Sequence, residues 1–153
     1  MFQDWFPLIM VFMYFVVLLI HEYGHACAGR IVGADMVGIY IGAGKPVISI
    51  GHVHWSPRKF WLGRYAYEND QLTWGQRFLV SAGGILANLA TGLIIWALAF
   101  IYPAWFSGIF ASAFVKMSMI FVISNLIPRT WGHGVKSDGW RLRELWLSRA
   151  DYK

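Results

Sequence analysis

His21 and His25 stand four residues apart in the stretch His21-Glu22-Tyr23-Gly24-His25. On an α-helix that spacing puts both side chains on one face, with Cβ atoms about 5–6 Å apart. Two imidazole nitrogens can then grip one metal ion. Glu22, next in the chain, is placed to act on a water at the metal rather than on the metal itself. Zinc suits such ligands and lowers the pKa of its water to about 7. A neighbouring carboxylate can accept that proton as the oxygen attacks a carbonyl. The plain alternative is a solvated helix face with no metal, which is common for this pattern in soluble chains.

A catalytic zinc takes a third protein ligand and keeps one position open. Outside the motif the candidates are Asp138, His133, His52, His54 and Cys27. His52 and His54 alternate on one face of a strand-like stretch and read as surface residues. His133 sits in a glycine-rich loop, where a solvated histidine is the simpler reading. Asp138 and His133 both follow the last apolar segment, and topology does not separate them.

The elements that must position these groups are apolar. Of 153 residues, 58% are hydrophobic and 14% charged, against about 25% charged in soluble domains. Between Arg77 and Arg129 the one charged residue is Lys116. A single α-helical integral membrane domain over 1–153 is expected. Its three transmembrane helices fall at about 5–29, 78–102 and 105–127, each near the 20 residues that cross roughly 30 Å of hydrocarbon. Pro103 to Gly108 leaves room for a tight turn only. Cys27 is the single cysteine, so an intrachain disulfide is excluded. The start of the chain has no basic leader or cleavage site, so the first apolar segment is expected to be retained.

Arg30, Lys45, Arg58, Lys59, Arg64 and Arg77 follow the first span, and Arg129, Lys136, Arg141, Arg143, Arg149 and Lys153 follow the third. Three spans put both sets on one face, which the positive-inside rule makes cytoplasmic, with the N-terminus outside the cell membrane. This arrangement accounts for the net charge of +5 without nucleic acid as a partner. Val37–Trp55 reads as a small β-hairpin at the cytoplasmic membrane surface. Gly139–Lys153, alternating Arg and Glu with Trp and Leu, reads as a short amphipathic helix.

With Arg30 at the boundary, His21 lies roughly 13 Å deep. Ionisable groups at that depth are costly and mark function, so the metal reading outweighs the solvated face. Asn88, eleven residues beyond Arg77, lies at roughly 16 Å. Gly84, Asn88 and Gly92 also form a small-residue stripe that permits close helix packing. Lys116, near the middle of the third span, has no evident role.

These residues resemble the site-2 protease (M50) family of intramembrane zinc metalloproteases in three places. His21–His25 is similar to its HExGH motif. Gly83-Gly84-Ile85-Leu86-Ala87-Asn88 is similar to its Ala-Gly-Pro-x-x-Asn element, with Ile85 in place of Pro. Asn125-Leu126-Ile127-Pro128, followed by Asp138-Gly139, is similar to its Asn-x-x-Pro…Asp-Gly element, with a longer gap. The resemblance spans nearly the whole chain. It implies that His21, His25 and Asp138 hold Zn2+ and that Glu22 is the general base. It also implies that Asn88 positions substrate or stabilises the oxyanion, and that the substrates are transmembrane segments of other proteins within the lipid bilayer. Two further readings are a non-proteolytic membrane zinc-binding or regulatory protein and a small metal transporter. Glu22 is superfluous for the first, and the second would be expected to show inverted repeats.

Overall fold

The computed structural model describes residues 5–68, 72–106, 108–131 and 135–149. Helix α1 covers Phe6–Ile31, α2 Trp74–Ile101 and α4 Ile109–Leu126. All three are long and apolar enough to cross a membrane. Only 22–28% of their most apolar windows is buried within the protein, so most of the apolar surface faces outward, as lipid-facing helices require. A four-residue helix α3, Pro103–Phe106, bridges α2 and α4 where a bare turn was expected.

Cap chemistry, rather than the first apolar residue, sets the helix ends. α2 begins four residues before the expected Phe78 because Thr73 and Gln76 form a reciprocal capping box, which satisfies two orphan N–H groups. α1 ends in a Schellman motif: Gly33 has φ +79, and the Ala34 N–H donates to Gly29 O at 2.9 Å. α1 and α2 approach until their backbones touch. A Cβ on Gly83 would stand 2.6 Å from Gly24 O and 2.9 Å from Ala28 Cβ. Such an approach is available only to small residues. α4 packs on both helices, and Val17, Met13, Val80, Met117 and Phe121 form the shared core with Ile39, Ile41 and Tyr65 of the sheet.

The expected hairpin over 37–55 is corrected to a four-stranded sheet. Its strands are β1 Asp35–Ala43, β2 Ile48–Ile50, β3 Val53–Trp55 and β4 Arg58–Glu68, in the order β2-β3-β1-β4. The first and last runs of the expected hairpin, β1 and β3, pair in parallel. Two features cause this. Gly51 (φ +57) turns the chain back early into a β2–β3 hairpin. β4, whose mixed aromatic and basic residues lack strict alternation, takes the other edge of β1 antiparallel, Ile39 opposite Tyr65.

After α4 the short strands β5 (Thr130–Trp131) and β6 (Val135–Lys136) pair antiparallel. Helix α5, Asp138–Leu147, follows, where the amphipathic tail helix was expected. Trp74 Nε1–H at the head of α2 donates to Leu145 O at 2.7 Å, which ties α5 to that end of the bundle.

Candidate metal centre

The apolar helix α1 carries His21 and His25 one turn apart, and both rings turn inward and are buried. The ring planes are nearly perpendicular, with centroids 4.8 Å apart and Nε2 atoms 3.2 Å apart. α2 supports both from behind. Val80 O lies 2.7 Å from His25 Nδ1, so that nitrogen carries the proton and Nε2 offers its lone pair. The Asn88 amide lies 3.2 Å from His21 Nδ1. Between these supports Gly84 leaves the space the rings need: a Cβ there would stand 2.5 Å from His25 Nε2 and 2.7 Å from His21 Nε2.

Asp138 completes the cluster from α5. Its Oδ2 lies 2.9 Å from His21 Nε2 and 3.3 Å from His25 Nε2, yet makes no well-formed hydrogen bond. The loop from α4 is closed at its base by Ser137. The Ser137 hydroxyl donates to Ile127 O at 2.9 Å and accepts from the N–H groups of Arg129 at 3.0 Å and Trp140 at 3.2 Å. Ser137 is therefore both the N-cap of α5 and the clamp that delivers Asp138. Burial opposes ionisation of Asp138; the adjoining imidazoles of His21 and His25 outweigh it and hold the carboxyl well below the usual carboxylate range.

His21, His25 and Asp138 are the group, among the described residues, whose donor atoms all lie within 4.8 Å of one another. Two imidazoles and a carboxylate are the donor set zinc takes in catalytic sites, and the clearance at Gly84 fits an ion among them. Glu22, also buried, does not join the cluster. It stands beside it on the wall of a cavity of about 740 Å³. β4 crosses above it with Gly63 directly on the Glu22 carboxylate, where any side chain would overlap. The Tyr14 hydroxyl donates to Trp61 O and pins the same strand to α1.

The structure therefore brings together His21, Glu22, His25 and Asp138. Asn88 is fully buried and lies behind His21, outside the described residues that line the cavity. Neither His52, in the turn between β2 and β3, nor His54, on β3, joins the cluster: the His54 ring lies 2.8 Å from Ser49 Oγ and stacks on Tyr40. Cys27 is exposed and lines an apolar groove over α1 and α2 that contains none of the cluster. His133 lies outside the described residues. Lys116 is exposed on α4, and nothing in the structure explains it.

Three positioning residues went unread in the sequence. Gly63 was signalled by a glycine inside a strand, which often marks close approach. Ser137 was signalled by a serine immediately before a helix that opens with aspartate. Gly84 read as packing, and its neighbour proves to be the histidine pair.

Two buried histidines on a helix long and apolar enough to cross a membrane, met by a carboxylate from α5, define the class, a protein with a candidate metal site against a long apolar helix. The chain matches the family model Peptidase family M50 over residues 9–131, and it belongs to that family. It is also 26% identical over 108 residues, 59% of its length, to a Neisseria meningitidis (serogroup A, serotype 4A) protein named "Putative zinc metalloprotease". That match spans 24% of the relative. Family membership implies zinc as the metal and supports a zinc metalloprotease, and the three apolar helices fit a membrane protein.

Proposed function

We propose that this chain is the catalytic core of an intramembrane zinc metalloprotease of the site-2 type, which hydrolyses peptide bonds in transmembrane segments of other proteins. The observation that carries this reading is the meeting of His21, His25 and Asp138 with Glu22 on the wall of one cavity. His21, His25 and Asp138 would hold the metal. Bound there, zinc supplies Lewis acidity towards water and the scissile carbonyl.

Glu22 is the general base: it accepts the proton of the attacking water and returns it to the leaving nitrogen. Its burial under Gly63 excludes bulk water from that carboxylate and fixes its direction. No covalent acyl intermediate is needed. The substrate must be unwound to present a carbonyl to these groups, because a helical segment hides its backbone. The end of the bundle that carries the sheet, α5 and the Arg and Lys residues of both loops faces the cytoplasm, by the positive-inside rule.

Purified protein in detergent, incubated with a single-pass membrane substrate beside its Glu22→Gln variant, tests the reading. Zinc content should match in the two proteins, with cleavage lost in the variant. Equal cleavage by both proteins would sink the proposal.

A further inference from the structure

We propose that Asn88 is a positioning residue for His21: its side-chain carbonyl accepts the His21 Nδ1 proton and so directs the Nε2 lone pair to the metal. The proposal rests on the metal-centre reading above. It gives Asn88 a place in the ligand frame rather than against the substrate.

Three observations carry it. Asn88 is completely buried, and its amide lies 3.2 Å from His21 Nδ1. Asn88 is absent from the described residues lining the cavity, so a substrate carbonyl held there would meet His21 first. Asn88 Oδ1 is buried without a hydrogen-bond partner while the amide nitrogen is turned to the ring. An unmet buried acceptor is costly. A histidine that offers Nε2 to a metal must carry its proton on Nδ1 and needs an acceptor there. Half a turn of the amide about its last torsion leaves the side-chain shape unchanged, turns Oδ1 onto the His21 Nδ1 proton and moves the amide nitrogen to the place Oδ1 held.

His25 supplies the parallel. Its Nδ1 meets Val80 O at 2.7 Å, a backbone acceptor two helical turns from Asn88 on the same helix. α2 thus orients both imidazoles, one through its main chain and one through Asn88. Helix packing alone would be served by alanine or glycine, as at Gly84 and Gly92, and gives no reason for an amide.

The experiment compares the parent with Asn88→Ala and Asn88→Asp. Metal-free protein in detergent is titrated with zinc against a chromophoric chelator, and with cobalt(II) for its visible spectrum. Asn88→Ala should bind zinc about 10- to 100-fold more weakly, as loss of an outer-shell partner does, with an altered cobalt spectrum. Asn88→Asp keeps an acceptor and should restore parental affinity. Equal affinity in all three, with activity lost in both variants, would show Asn88 donating to substrate and overturn the proposal. A parent that binds no metal would instead overturn the metal-centre reading.

Should the variants not fold, the zinc-loaded parent decides. The His21 Nδ1–H resonance should exchange slowly and show no strong Overhauser effect to the Asn88 amide protons. Absence of that resonance, with an Overhauser effect from the Asn88 amide protons to the His21 ring C–H instead, would put the amide nitrogen against an unprotonated Nδ1 and exclude the acceptor role.

Discussion

The two halves of the metal site are built by different means. His21 and His25 share one helix, and the regular pitch of α1 sets their separation. Asp138 reaches the same point from α5, after a loop that is closed, among the described residues, through Ser137 and the β5–β6 pair. The histidine half is therefore fixed by local geometry and by the α2 wall, and the aspartate half by a few hydrogen bonds around one hydroxyl. Damage to the first should remove the site, and damage to the second should loosen it.

The largest effect is expected from Gly84→Ala. Alanine favours a helix over glycine by about 1 kcal/mol, so the fold has no propensity reason to weaken. The added Cβ, 2.5 Å from His25 Nε2 and 2.6 Å from His21 Cε1, fills the space between the rings. Metal analysis of the purified variant should find essentially no zinc, and parental zinc content would refute the cradle. Next comes Asp138→Ala. Its zinc affinity should fall by more than the roughly 10- to 100-fold typical of outer-shell partners, while His133→Ala stays at the parental value. The opposite ranking would move the third ligand to His133.

The same division governs how much could be read from the sequence. A pair of histidines at helical spacing, inside an uncharged run, announces itself because both signals are local. The three apolar segments were legible for the same reason, although α2 starts at Trp74 because its cap, Thr73 with Gln76, lies in polar sequence before the apolar run. The sheet was not legible. Whether β1 pairs with β3 in parallel or with its nearer neighbour depends on which strand takes its other edge, and β4 is decided by tertiary contact. The route of Asp138 to the rings is likewise non-local, since Ser137 gains its meaning only from Ile127 and Arg129 across the loop. Asn88 was legible as a buried amide, but its partner, the back of His21, was not.

Ser137→Ala sharpens the comparison on its weaker side. It removes the N-cap of α5, typically worth about 1 kcal/mol, together with the bonds to Ile127 O and Arg129 N. Zinc affinity should drop by about tenfold, in line with one outer-shell loss, and Ser137→Thr should recover most of it. An unchanged affinity would mean that packing of α5 against Trp74 alone delivers Asp138.

The smallest effect belongs to Glu144, which sits on the same helix as Asp138 and accepts from Lys136 Nζ at 2.6 Å. Lys136 holds the Glu144 carboxyl below its usual range. Any stability from the pair is therefore present above ordinary carboxylate pH values and fades as pH falls through the lowered pKa. Both side chains are more than two-fifths exposed, where water and salt screen such pairs to at most about 1 kcal/mol. Glu144→Gln should leave zinc affinity within about twofold of the parent, with little salt dependence. A tenfold loss would shift the closure of the aspartate arm from the buried Ser137 hydroxyl to an exposed ion pair. The site would then open with rising salt, a behaviour the buried clamp does not allow.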